Sequence, residues 1–181
     1  FYEEVKSFPI SSFAKVNKQF KYKVKKYWEL KYNEKKINYS KAIKKTRELL
    51  NNSMKIRLRS DVPIAFCLSG GLDSNSLIGI SKLQLKKKIK ANTVLDPDSD
   101  YNEKKIIDKV VNNLNIDHEY IKVNEKKILE YLSNLIEYHD QPIATSNFLF
   151  HSFIAKKSSA DGFKVLISGL GADEIFSGYY D

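Results

Sequence analysis

The chain has 181 residues, 42% of them hydrophobic and 29% charged, enough apolar matter for one domain with a real core. That balance excludes a disordered chain, and seven Gly with four Pro exclude a collagen-like or low-complexity one. The formal charge of +9 is uneven: residues 1–60 hold 17 Lys and Arg against 5 Asp and Glu, giving +12, whereas residues 61–181 hold 14 against 17, giving −3.

Residues 1–39 have no helical period. Phe20, Tyr22 and Val24 alternate with lysines, as in a half-exposed strand, and Tyr27-Trp28 add an apolar anchor. This stretch reads as a linker that docks, followed by a domain over 40–181. Ser40 is the expected N-cap of a helix to about residue 58, with Ile43, Leu50 and Met54 on one face and Pro63 beyond its end.

From Pro63 the pattern turns to strand–helix alternation. The apolar run 64–68 suits a strand buried on both faces, and a helix is expected over 74–85. A strand over 89–95 follows, then a helix over 101–114 with Ile106, Ile107, Val110 and Val111 inward. A strand over 118–123 leads to a helix over 125–138 carrying Ile128, Leu129, Leu132, Leu135 and Ile136. A helix over 148–157 and a strand over 164–167 complete the series. Strands separated by helices predict an α/β fold, a parallel sheet with helices on both faces, whose ligands bind beyond the carboxyl ends of the strands.

Two glycine turns stand at such ends. In Ser69-Gly70-Gly71-Leu72-Asp73-Ser74, adjacent glycines let backbone amides approach an anion, and the helix that follows adds further N–H donors. Ser69 and Ser74 offer hydroxyls to the same phosphate oxygens. Asp73 would repel a phosphate unless a cation lay between them, so the loop predicts a magnesium–phosphate ligand. The run is neither a Walker motif nor a dinucleotide fingerprint. The second turn, Ser168-Gly169-Leu170-Gly171-Ala172-Asp173-Glu174, adds carboxylates that approach the same metal from the opposite side.

Residues 69–74 resemble the pyrophosphate loop of N-type ATP pyrophosphatases. The spacing to residues 168–174 and Gly178-Tyr179 resembles the synthetase domain of glutamine-hydrolysing asparagine synthetases, and so do Tyr27-Trp28, residues 57–63 and Asp140-Gln141-Pro142. The resemblance implies a Rossmann-like fold of the adenine nucleotide alpha hydrolase type. It also implies ATP and Mg2+ as cofactors, and adenylation of aspartate with release of pyrophosphate before ammonia displaces AMP to give asparagine. Carried over by position, Ser69, Gly70, Gly71, Asp73 and Ser74 would hold pyrophosphate. Asp73 and Asp173 would hold magnesium as the catalytic carboxylates, and Leu68, Val94, Ser168 and Gly169 would line the AMP site. The ammonia would come from glutamine, through a glutaminase domain of the same full-length chain. Some members carry Glu in the middle of the second loop, where this chain has Leu170, so no base or ammonia-handling role carries over there.

The start at Phe1 and the stop at Asp181 suggest a piece of a longer chain, incomplete at its C-terminal side. A lone Cys67 forms no internal disulfide and no 18-residue apolar run exists, so a cytoplasmic enzyme without a membrane span is expected. Cys67 sits mid-strand and is not expected to act as a nucleophile. Asp96, Asp98 and Asp100 imitate a calcium loop, but Tyr101 and Ile107 replace its Gly and Glu; Glu103 is expected to open the next helix. His118, His139 and His151 read as structural or surface histidines. Two alternatives keep the first loop. One is a related amidoligase or a tRNA-modifying adenylase gripping RNA with its basic first 60 residues; the other is a non-catalytic nucleotide-binding module. Twenty-eight Lys against only Arg47, Arg57 and Arg59 argue against a nucleic-acid groove.

Overall fold

The structure, a computed structural model, describes residues 2–95 and 103–179. The chain divides into two units, Phe1–Lys41 and Ala42–Asp181. In the first, β1 (Ser12–Val16) pairs antiparallel with β2 (Tyr22–Lys26), Val16 opposite Tyr22 and Ser12 opposite Lys26. The expected strand is β2, but it is exposed along its whole length rather than on alternate residues, and Phe20 lies in the turn at φ 59°.

The first long helix, α1, covers Tyr39–Arg57. Its cap is Asn38 rather than Ser40, for Asn38 Oδ1 accepts the Lys41 N–H at 2.9 Å and leaves Ser40 inside the first turn. The inward row is Ala42, Thr46, Leu50 and Met54; it includes the expected Leu50 and Met54, but Ala42 takes the place expected of Ile43, which is exposed. Lys55 and Arg57 complement the helix dipole in the last turn.

Four parallel strands follow: β3 (Ile64–Cys67), β4 (Lys90–Leu95), β5 (Asp117–Lys122) and β6 (Val165–Ile167), in the order β5-β4-β3-β6. Between them run α2 (Leu72–Gly79), extended by a π-helical turn over Ile80–Gln84, and α3 (Lys104–Leu114). Beyond β5 come α4 (Ile128–His139), entered through a 3-10 turn at Glu125–Lys127, and α5 (Ser146–Ala160); α6 (Ala172–Phe176) follows β6. The start expected for α3 at Tyr101, and the acidic run Asp96, Asp98 and Asp100, lie outside the described residues.

The register assigns the two faces of the sheet. Phe66 stands beside Ala91 and Ile167, and these join Met54 of α1, Ile78 of α2 and Ile107 of α3 in one apolar cluster. One residue on, Cys67 stands beside Asn92, whose Nδ2 donates to Ser158 Oγ of α5 at 2.9 Å on the opposite face. Helices therefore flank both faces, as the alternation predicts. Three residues expected inward, Ile106, Leu129 and Ile136, are exposed. The buried row of α3 is Ile107, Val110, Val111 and Leu114, which leaves Ile106 outside, and that of α4 is Ile128, Leu132 and Leu135, which leaves Leu129 82% exposed.

Phe66→Ala should cost about 3–5 kcal/mol in urea unfolding, because a ring at 2% exposure leaves a cavity among three helices. Leu129→Ala should change stability by no more than about 0.5 kcal/mol. Equal losses would contradict this assignment of the core.

Candidate nucleotide site

Beyond β3 the chain passes through buried Leu68, whose N–H bonds Asn92 O at 3.1 Å and whose carbonyl accepts the Thr93 hydroxyl at 2.6 Å. That hydroxyl has a single proton, so the 2.9 Å contact between Thr93 Oγ1 and His118 Nε2 requires the imidazole to donate. Burial holds the His118 pKa below its ordinary 6.5. The histidine thus acts through Thr93 to anchor the start of the glycine loop.

The loop is held by its own hydroxyls. Ser69 N–H donates to Ser74 Oγ at 3.2 Å, the two hydroxyls lie 2.9 Å apart, and Gly71 N–H donates to Ser69 Oγ at 3.2 Å. Ser69 and Ser74 were expected to face a ligand; in the structure their hydroxyls bond each other and the loop, and Ser74 is buried. Asn75 Nδ2 fastens the same loop, donating to Gly71 O at 2.6 Å and Ser69 O at 3.0 Å. Helix α2 starts at Leu72, two residues earlier than expected, so Asp73 lies in its first turn.

The second loop leaves the sheet directly beside the first, because β6 pairs with β3 with Ile167 opposite Phe66. Strand order reverses at this pair: β4 and β5 extend to one side of β3 and β6 to the other. Such a reversal opens a crevice at the carboxyl ends of the strands. Gly169 packs against the start of α2 so closely that a Cβ there would stand 2.9 Å from both Asp73 Cβ and Ser74 N. Helix α6 then carries Asp173 and Glu174 in its first turn. The Tyr179 hydroxyl donates to Glu174 Oε1 at 2.5 Å, which lowers the carboxyl pKa and raises the phenol.

A cavity of about 420 Å³ lies between the two loops. Leu68, Ser69, Gly71, Asp73 and Ser74 line it from the first loop, Gly169 and Asp173 from the second, and Val94 from the end of β4. Gly70 and Ser168 stand behind the wall: the Gly70 N–H is taken by Glu103, and Ser168 Oγ accepts the Leu170 N–H at 3.3 Å. Asp140 ends α4 in the left-handed conformation and is not among the lining residues. Cys67 is half-buried and touches the cavity rather than lying wholly inside the sheet; burial pushes its thiol up to about 11, so it is no thiolate nucleophile.

Sequence reasoning missed Asn147, Phe150 and His151, which line the far wall on one face of α5, and Glu103, which lines the near wall. The i, i+3, i+4 spacing on a helix covering the β3–β4 face was the available signal for the first three. His151 accordingly belongs to the cavity rather than to the surface.

Among the described residues no group of three His, Cys, Asp or Glu side chains is placed to hold a metal ion. Magnesium, however, is commonly bound through one or two carboxylates plus substrate phosphates, and Asp73 and Asp173 both line this cavity. The donor set fits a metal that arrives with a polyphosphate.

The asparagine synthase family model matches residues 45–180. An amidase of Penicillium rubens is 31% identical over 173 residues, covering 86% of this chain and 26% of its own. The glutamine-hydrolysing asparagine synthetase 1 of Bacillus subtilis is 26% identical over 155 residues, covering 86% of this chain and 24% of its own. The chain therefore spans about a quarter of the length of these curated relatives. Among solved structures, the NH3-dependent NAD synthetase of Campylobacter jejuni superposes with a TM-score of 0.50 at 20% identity, over 80% of this chain and 62% of that one, which shows a shared fold.

Gly169→Ala should destabilise the protein by about 1–3 kcal/mol in denaturant unfolding, since its Cβ would overlap Asp73 and the α2 backbone. Gly79→Ala, with open space around it in helical backbone, should stabilise by about 0.5–1 kcal/mol. Similar effects at the two glycines would contradict the close approach of the loops.

Proposed function

The chain belongs to the asparagine synthase family, and from that premise we propose that it is the ATP-binding, carboxylate-activating part of an amide-forming ligase. The observation that carries this reading is one cavity walled by both glycine turns, lined by Asp73 after the first and Asp173 after the second.

In the proposed reaction a substrate carboxylate oxygen attacks the α-phosphorus of ATP. The bond to the β-phosphate oxygen breaks, and pyrophosphate leaves with that electron pair. Ammonia then attacks the acyl carbon, AMP departs with the carbon–oxygen electrons, and the nitrogen loses a proton to give the amide. Aspartate is the proposed carboxylate and asparagine the product, with ammonia from glutamine through a glutaminase domain of the full-length chain.

The residues take roles by chemistry. Leu68, Val94 and Gly169 offer the apolar wall for the nucleoside, with Phe150 supplying an aromatic face from α5. Ser69, Gly70, Gly71 and Ser74 form the pyrophosphate loop; the hydrogen bonds among the Ser69 and Ser74 hydroxyls and the Ser69 and Gly71 amides hold its shape before a ligand arrives. Asp73 and Asp173 would hold Mg2+, which when bound neutralises charge building on the leaving pyrophosphate. Ser168, turned toward Leu170, supports the second loop from behind and reaches an AMP group only if that bond opens.

The amidase relative supports a second reading, in which the same ATP site serves a different acyl group. Leu170, 71% exposed where some members carry Glu, fits an acceptor region tuned to another substrate.

The test is exchange of labelled pyrophosphate into ATP by the full-length protein. Aspartate should stimulate exchange, and Asp73→Ala, with unchanged circular dichroism, should lower it by about 10²-fold or more. Exchange within twofold of the parent would remove Asp73 from the mechanism. Exchange driven by another carboxylate and not by aspartate would favour the second reading.

A further inference from the structure

Among the described side chains of the cavity wall that the proposed reaction does not use, Glu103 is the one that bonds the glycine loop itself. Glu103 lies 33 residues beyond Gly70, yet its Oε2 accepts the Gly70 N–H at 2.7 Å. Its Cβ and Cδ would each stand 2.9 Å from a Cβ placed on Gly70, so the side chain lies directly over the glycine and only a residue without Cβ leaves it room. The backbone beneath it is fixed, because Glu103 O accepts the N–H groups of Ile106 at 3.0 Å and Ile107 at 3.1 Å as α3 begins.

The three loop amides are therefore not equivalent. Those of Ser69 and Gly71 are met by neutral hydroxyls, whereas that of Gly70 is met by a carboxylate. A carboxylate on a backbone amide is chemically what a phosphate oxygen on that amide would be: an anionic acceptor in a charge-assisted hydrogen bond. An arriving anion must displace it and then coexist with its charge. A bare polyphosphate meets repulsion from Glu103 added to that from Asp73, Asp173 and Glu174, against one lining cation among the described residues, Lys104, which is itself ion-paired with Asp108. A polyphosphate carrying a divalent cation meets far less.

We propose that Glu103 sets the anion selectivity of the glycine loop, holding the Gly70 amide against free anions and yielding it to a polyphosphate whose charge a divalent cation has neutralised. The inference rests on the nucleotide-site reading above and adds a specificity residue to it. The carboxylate acts as a displaceable occupant: every anion that takes the amide must displace it, and one without a metal must in addition coexist with its uncompensated charge.

The experiment is calorimetric titration of the full-length protein with inorganic pyrophosphate, once in chelator and once in excess magnesium. Glu103→Gln keeps the size and an amide oxygen acceptor but removes the charge; Glu103→Ala removes both. In chelator, both variants should bind pyrophosphate about tenfold more tightly than the parent. In magnesium the gain should fall below about threefold, and raising salt should shrink the chelator gain further. A merely structural Glu103 would weaken binding equally under the two conditions, and that result would overturn the proposal. Variants within twofold of the parent in chelator would overturn it as well. Binding by none of the three proteins under either condition would sink the nucleotide-site reading itself, and this inference with it.

Discussion

The site depends on the parallel pairing of β3 with β6. Their register, Phe66 beside Ile167, forces the two chains to leave the sheet next to each other at the same edge. Because β4 and β5 lie on the other side of β3, the segments that follow diverge and leave a crevice between them. Burial holds this pair: Phe66, Leu68 and Ile167 share one cluster with side chains of α1, α2 and α3. Any change that slipped β6 by one residue would turn Ile167 out of that cluster and swing the second glycine turn away from Asp73. Core and site are thus one constraint seen from two ends.

The loop itself is stiff because its polar groups are engaged locally. Ser69, Ser74 and Asn75 bond one another's backbone within seven residues, and Thr93 with His118 fixes Leu68 from the neighbouring strands. Buried polar networks of this kind hold a geometry more than they add stability. An anion site built from backbone amides needs such holding, since its donors must aim at the ligand before the ligand arrives. The two carboxylates work in the opposite direction, disfavouring anions in general. Together they describe a cavity that accepts phosphate only under particular charge conditions.

Much of this was legible in the sequence. The buried run from Ile64, the adjacent glycines and the strand–helix alternation were enough to place the fold and both turns, because period and glycine position report backbone geometry directly. The comparisons then assign the family, whereas the roles of Asp73 and Asp173 remain the proposal made above. What failed did so for tertiary reasons. Ile43, Ile106, Leu129 and Ile136 are apolar and sit one helical step from a buried row; sequence pattern does not say which of two adjacent rows faces the sheet. Asn38 and Ser40 are both good caps, and only the hydrogen bond to Lys41 decides between them. Glu103 and the α5 residues Asn147, Phe150 and His151 were missed because their nearness to the glycine loop comes from sheet order, which no local signal encodes.

Two turns about a hundred residues apart in sequence would act as one binding unit. Hydrogen–deuterium exchange of the full-length protein titrated with magnesium and ATP tests it most directly. Peptides covering residues 68–76 and 167–175 should gain protection together, with the same half-saturating ATP concentration. Protection confined to one of the two segments, while ATP binding is demonstrably saturated, would contradict a shared site.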